Sequence, residues 1–388
     1  MKHTSLPLPP GAWLGMMGGG QLGRMFCHAA QALGYQVAVL DPAQTSPAGV
    51  VANRHICAAY DDRDALDQLA QLCSAVSTEF ENIPAESLRY LAQSVRVCPA
   101  GDAVAMVQDR LVEKAFIGQA GVPLAPYAQV LGLDDLAQAS DALFPGILKS
   151  ARLGYDGKGQ VRVTSREQAH EAFIQLGSVP CVLEALQALD HEISVVVVRD
   201  SQEQTACYPA SRNAHRDGIL ALSVIDGLLD VDVVRQATGY AEMLARQLDY
   251  QGVMCVEFFV LQDARVLANE IAPRPHNSGH ATQDACLVSQ FEQQVRVMAG
   301  LPIGTTQVLC PVAMLNVLGD LWFDAQDRHC EPDWAGVLAV PGTRLHLYGK
   351  AQARKGRKMG HINILGDDAA QLRQRVAEVE RVLGLPHD

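Results

Sequence analysis

Residues 12–17 (AWLGMM) form an unbroken apolar run, a glycine cluster follows, and from Gln21 to about Leu33 apolar residues recur at helical spacing. Gly34 ends that stretch and a second apolar run, YQVAVLD, follows it, so the pattern predicts a β-α-β unit. Asp64 to Cys73 reads as a helix, SAVSTEF as a strand running into a turn at Asn82 to Pro84, and VRVCP closes the segment after another helix. Alternating strands and helices up to about residue 105 predict a small parallel sheet with helices on both faces.

Beyond that point the pattern changes. PGILKSA and QVRVTS read as strands separated by the polar, glycine-rich loop ARLGYDGKG, and PCVLEAL, HEISVVVVRD, QTACYPA and ILALSVI follow as β segments. A long helix is expected from about Val231 to Leu248, and VMCVEFFVLQ and RVLANEIAP read as the arms of a hairpin turning near Asp263. A third segment begins near Leu301 and ends in a helix over Ala369 to Leu383. The expected fold class is therefore α/β followed by α+β, with domains at 1–105, 106–300 and 301–388.

Composition narrows the function. The 388 residues are 48% hydrophobic and 19% charged, the balance of a compact soluble chain rather than a disordered polyelectrolyte. A net charge of -12 argues against a nucleic-acid or anionic-membrane surface, so any bound anion must be gripped by a local basic or glycine-rich site. The ten cysteines are scattered without a CxxC pair, which points to reduced thiols and a cytoplasmic chain rather than a disulfide or zinc framework. Prolines and glycines interrupt the start too often for a signal peptide, and residues 1 to 10 are expected to form a loose leader.

Four motifs carry chemistry. Gly18, Gly20 and Gly23 in GGGQLG match G-x-G-x-x-G between a strand and a helix, with Asp41 at the end of the next strand. That arrangement suits a dinucleotide, any other phosphate, or simply a tight turn. GYDGKGQ (Gly154, Tyr155, Asp156, Gly157, Lys158, Gly159, Gln160) is not a P-loop, but a β-turn rich in amides can lie over a polyphosphate, and Lys149 precedes it. Glu257 and Glu270 stand in apolar strands, where carboxylates are costly unless paired or metal-bound; on adjacent strands they would make a Mg site, the alternative being two charges on a solvent face. APRPHNSGH places Arg274, His276 and Asn277 directly after Glu270. Lys350, Arg354, Lys355, Arg357 and Lys358 form a basic cluster that reads as a solvated face, a nucleic-acid patch or the grip for one phosphate.

Together, GYDGKGQ, the Glu257 and Glu270 pair, NEIAPRPHNSGH, and YGK followed by RKMGHIN resemble the N5-carboxyaminoimidazole ribonucleotide synthetases, over about Gly15 to Gly366. The resemblance implies an ATP-grasp fold with an N-terminal Rossmann-like (pre-ATP-grasp) domain and a small β-rich C-terminal domain. It implies a cytoplasmic homodimer that uses ATP, Mg and bicarbonate to carboxylate 5-aminoimidazole ribonucleotide through carboxyphosphate, on the route to purines. A formate-using glycinamide ribonucleotide transformylase is the near alternative; a nicotinamide oxidoreductase and a non-catalytic nucleotide sensor are the others.

By the same resemblance, Arg110, Lys149, the loop Gly154 to Gln160, Glu184, Ala185, Leu186, Gln187, Glu192, His215, Asn269 and Glu270 would bind ATP. Glu257 and Glu270 would hold Mg. Gly20, Gln21, Leu22, Glu79, Asn277, Lys350, Arg357 and Lys358 would bind the ribonucleotide. Tyr155, Asp156, Lys158, Arg274 and His276 would act on the reacting groups, with Lys158 standing where many members carry arginine.

Overall fold

The computed structural model describes residues 7–154 and 158–386. Its first unit alternates β1 (Trp13–Met17), α1 (Gln21–Ala32), β2 (Gln36–Leu40), β3 (Arg54–Ile56), α2 (Arg63–Leu72), β4 (Ala75–Thr78), α3 (Ala85–Ala92) and β5 (Arg96–Val97). The five strands are parallel in the order β3-β2-β1-β4-β5. Sequence chemistry sets the boundaries: Asp62 caps α2 by accepting the Ala65 N–H at 3.0 Å. The carboxyl ends of β1 and β4, adjacent in the sheet, bring Gly18–Gly20 and Glu79 side by side.

Two helices, α4 (Gly101–Val107) and α5 (Arg110–Gln119), lead out of this unit. A small layered subunit follows, made of β6 (Tyr127–Val130), α6 (Leu133–Gln138), β7 (Gly146–Ser150), β8 (Gln160–Val163), α7 (Arg166–Gln175) and β9 (Cys181–Ala185). Its strands are antiparallel in the order β6-β9-β7-β8, backed by an apolar cluster that includes Leu148, Leu183 and Phe173.

The largest sheet takes its strands from the rest of the chain: β10 (Leu189–Arg199), β11 (Thr205–Cys207), β12 (Ser211–Arg216), β13 (Ile219–Ile225), then, after α8 (Val231–Gln247), β14 (Gly252–Leu261) and β15 (Val266–Ala272). After α9 (Thr282–Ala285) and α10 (Gln290–Ala299) it continues through β16 (Val312–Leu318), α11 (Trp334–Ala339), β17 (Thr343–Leu347) and β18 (Lys358–Leu365), ending with α12 (Ala369–Leu383). The order is β15-β14-β10-β12-β13-β16-β18-β17, with β11 beside β10. The third segment of the chain thus extends the same sheet, because β16 pairs antiparallel with β13. The valine run of β10 is buried throughout: Val195 and Val197 pack on α8 (Ala237, Ala241, Leu244), while Val196 and Val198 face the opposite side with Tyr208 and Val297.

One expectation changes. Residues 1–6 of the loose leader lie outside the described residues, but Leu8 is buried, donates its N–H to the Ala299 carbonyl and accepts the Tyr35 hydroxyl at 2.8 Å. One apolar side chain that reaches a core is enough to dock this stretch. The acidic stretch around Asp324 to Asp333 ties two indole rings together, since Glu331 accepts the N–H groups of both Trp322 and Trp334, at 3.0 and 2.7 Å.

Candidate functional site

A cavity of about 920 Å³ opens between the three units and is lined by residues from all of them. At one end stands the glycine turn. Helix α1 has no capping side chain of its own; the two oxygens of Glu79 instead accept the N–H groups of Gly20 and of Gly23, the latter at 2.7 Å. Asp41 accepts the Gly19 N–H and the Tyr60 hydroxyl, both at 2.7 Å. A Cβ at Gly20 would lie 2.6 Å from Glu79 Oε1 and one at Gly19 2.6 Å from Asp41 Cγ, so the glycines are needed for the carboxylates' approach. The dinucleotide reading of this motif is thereby corrected. Two buried carboxylates fill the anion site at the helix N-terminus, and a pyrophosphate there would be repelled. Burial and the nearby Asp41 hold the Glu79 carboxyl above its usual range. Gln21, Leu22 and Glu79 face the cavity, while Gly20 supports from behind.

The middle of the cavity is built on the small subunit and α5. Lys149 and Glu184 lie on one face of neighbouring strands, since Ile147 is the residue directly opposite Glu184. Glu184 bridges two ammonium groups, Lys149 and Lys114, each at 3.1 Å. Burial drives the Glu184 carboxyl up, but the two lysines outweigh it and leave it below the usual range. Burial also lowers Lys149. Gly154, Lys158 and Gln160 form one rim, with the Gly154 carbonyl accepting from Arg110 at 3.4 Å; Ala185, Leu186 and Gln187 form the other. Gly159 turns at φ +70°, with Ser150 beneath it, outside the cavity wall. Tyr155, Asp156 and Gly157 lie outside the described residues. Further in, Glu192 on β10 meets His215 on β12 at 3.1 Å; burial would lower that imidazole, but the carboxylate raises it.

At the far wall Glu257 stands opposite Glu270 across β14 and β15. The register then jumps to Phe258 opposite Ala268, so Asn269 is a bulge residue, and Asn269 and Glu270 both face the cavity despite being consecutive. Arg110 reaches Glu270 at 3.0 Å. Burial and the neighbouring Glu270 push Glu257 up to about 7. Two close carboxylates with oxygen-only donors suit a hard divalent cation that completes its shell with phosphate and water; among the described residues no group of three or more histidine, cysteine or acidic side chains forms a closed metal cage.

Next to this wall, Arg274 is held by Glu81 at 2.6 Å, and His276 lies 3.2 Å from Glu257. Burial, then Arg274 and Lys358, depress the His276 imidazole well below its usual range. Asn277 is buried and neither atom of its amide has a hydrogen-bond partner; the Asn269 carbonyl oxygen is likewise unpaired. Such groups cost about 1–3 kcal/mol each unless a ligand satisfies them, and both line the cavity.

Of the basic cluster, Lys358 alone lines the cavity. Lys350 donates to the Lys358 carbonyl at 2.6 Å and Arg357 to the Gln352 carbonyl at 2.8 Å, so these two shape the loop in this structure. The loop is braced from outside by Asp320, which accepts the Gly356 N–H at 2.7 Å, and by an Asp327–Lys355 pair. Tyr348 is buried in the same apolar cluster as Leu22 and Phe26, which docks the third segment on α1. Sequence reasoning missed Lys114, Glu81 and Glu113. None stands out along the chain, since each is an ordinary charge until tertiary packing pairs it.

A glycine-rich segment between β7 and β8, a paired lysine on the strand before it and two carboxylates on a hairpin define an ATP-grasp enzyme. Residues 12–108 match the ribonucleotide synthetase preATP-grasp domain, 115–291 the ATP-grasp domain and 312–375 the phosphoribosylaminoimidazole carboxylase C-terminal domain. The chain is 44% identical to the N5-carboxyaminoimidazole ribonucleotide synthase of Brucella melitensis, over 93% of this chain and 98% of that protein. A solved ADP complex of N5-carboxyaminoimidazole ribonucleotide synthetase superposes with a TM-score of 0.90 at 38% identity, covering 98% and 99% of the two chains. The Aspergillus clavatus enzyme in complex with ADP and 5-aminoimidazole ribonucleotide superposes at 0.87 with 30% identity, over 96% and 99%. The chain belongs to the N5-carboxyaminoimidazole ribonucleotide synthase family.

Proposed function

We infer that the chain carboxylates 5-aminoimidazole ribonucleotide with bicarbonate at the expense of ATP, on the route to purines. The observation that carries this reading is a single cavity that joins a phosphate-gripping pair (Lys149, Arg110) to a second anion pole (Lys358) beside the Glu79 edge. A bicarbonate oxygen attacks the γ-phosphorus, ADP leaves, and carboxyphosphate forms between the two poles. Its carboxyl carbon then passes to the exocyclic amine of the ribonucleotide as phosphate departs.

Position and the family resemblance support the roles that follow. Lys149, held in line by Glu184, neutralises the nucleotide phosphates, while Ala185 to Gln187 edge the base and Glu192 the ribose. Gln21, Leu22, Glu79, Asn277 and Lys358 take the ribonucleotide. Arg274, fixed by Glu81, and Lys158 face the carboxyphosphate, a role that the family resemblance extends to Tyr155 and Asp156. The donor set fits Mg, which Glu257 and Glu270 would hold; bound there it supplies charge neutralisation at the transferred phosphoryl group. The resemblance also carries a cytoplasmic homodimer, which sedimentation at working concentration checks. Domain limits near 105 and 300 complete the reading.

The test is phosphate release from ATP in bicarbonate, with and without 5-aminoimidazole ribonucleotide, alongside detection of the carboxylated product. Strong stimulation with stoichiometric product is expected. Phosphate release indifferent to the ribonucleotide would overturn the assignment.

A further inference from the structure

Beneath the far wall of the cavity runs a line of buried polar side chains that the proposed reaction does not use. Ser223 donates to the Asn213 carbonyl oxygen at 2.5 Å, and the Asn213 amide donates to Ser194 at 2.9 Å. Ser194 donates to Ser278 at 2.7 Å, and Ser278 Oγ lies 2.8 Å from His276 Nδ1. All five are buried. The line comes from three neighbouring strands and the short turn Asn277–Ala281, and it ends where His276 Nε2 meets Glu257 Oε1 at 3.2 Å.

The direction of the protons follows from the inventory of donors. The backbone N–H of Ser278 also points at His276 Nδ1, at 3.3 Å, and a backbone N–H only donates. Nδ1 must therefore present its lone pair. Ser278 already accepts the Ser194 proton, so its own hydroxyl proton is directed at the same nitrogen. A ring whose Nδ1 faces two donors excludes the imidazolium and carries its single proton on Nε2, toward the Glu257 carboxylate.

We propose that Ser278 is a positioning residue that locks His276 as the Nε2–H tautomer, so that His276 holds Glu257 by a donated hydrogen bond and does not serve as the base for the substrate amine. Donors aligned in one direction polarise each other, and a ligating carboxylate held by a second group keeps its orientation. The consequence for turnover rests on the role proposed for Glu257; the tautomer does not.

Two-bond proton–nitrogen correlation spectra of the full chain, labelled with 15N-histidine and free of nucleotide, read the tautomer directly. The His276 signals are identified by their loss in His276→Gln. The expected pattern is an unprotonated Nδ1 and a protonated Nε2; an imidazolium or an Nδ1–H form in the wild-type protein overturns the proposal whether or not any variant folds. In Ser278→Ala the pattern should become mixed, and kcat should fall about tenfold, the worth of one buried hydrogen bond, with the KM for ATP within about twofold. A Ser278→Ala protein that keeps both the wild-type pattern and kcat removes Ser278 from the role. A mixed pattern with unchanged kcat would keep the lock and refute its part in turnover.

Discussion

Replacing Glu257 by glutamine separates what this carboxylate costs the fold from what it does in the site. Burial and the facing Glu270 move its carboxyl from an ordinary value of 4.5 to about 7. The side chain is only 13% exposed, so solvent screens little of this. Because the folded pKa is the higher one, the folded chain binds more protons than the unfolded chain between those two values. Stability contributed by this group therefore falls as pH rises through the window from 4.5 to about 7. At about 1.4 kcal/mol per pH unit the loss is roughly 3 kcal/mol by pH 8. Glutamine keeps an oxygen for His276 but never ionises, so Glu257→Gln should be more stable than wild type by up to roughly 3 kcal/mol at pH 8 and nearly equal to it at pH 5. Denaturant titrations at the two pH values, without nucleotide or divalent cation, measure the difference. Turnover should be lost at both. A variant no more stable than wild type at pH 8, or one whose advantage is the same at pH 5, would refute this account of the carboxylate.

Other outcomes are expected. Lys114→Met leaves the buried Glu184 with one partner and should cost about 3 kcal/mol of stability, with a raised KM for ATP; an unchanged denaturation midpoint would show that Lys149 suffices. Gly20→Ala drives a Cβ to 2.6 Å from Glu79 Oε1 and should raise the KM for the ribonucleotide while sparing that for ATP, as steady-state kinetics would record. Lys358→Ala should weaken the ribonucleotide ten- to a hundredfold, the range for a charge-assisted hydrogen bond of roughly 1.5–3 kcal/mol. Arg357→Ala should have a smaller effect, and one larger than that of Lys358→Ala would place the phosphate on the loop itself.

The sequence is most legible where one element determines the pattern. The β-α-β start, the hairpin around Asp263 and the last helix fall within a residue or two of expectation, because periodicity and caps such as Asp368 are local. Helices α4 to α7 and α10 are absent from the sequence-based expectation although Asp109, Ser165 and Ser289 cap three of them locally, and β12 is hidden because NAHRDG is polar. In the site, GYDGKGQ and NSGH stand out by their residue types. Lys114 and Glu113 do not: each is an ordinary charge on a helix until tertiary packing buries it, Lys114 against Glu184 and Glu113 under the Ile271 N–H. The closing of the glycine turn by Glu79 is equally invisible along the chain, since its partners lie 59 and 56 residues away.

The chain reads as three consecutive modules, yet the second and third are not interchangeable parts. Strand β13 pairs with β16 through Leu222 to Ile225 against Leu315 to Val312. A chain ended after residue 300 would leave that apolar strand edge open, a template for joining to other copies. Grafting the C-terminal segment of a relative would therefore have to reproduce this register before it could contribute Lys358 to the cavity. A one-residue slip would turn every side chain of β16 to the opposite face of the sheet. Recombination between members of this family is therefore expected to fail at residue 300.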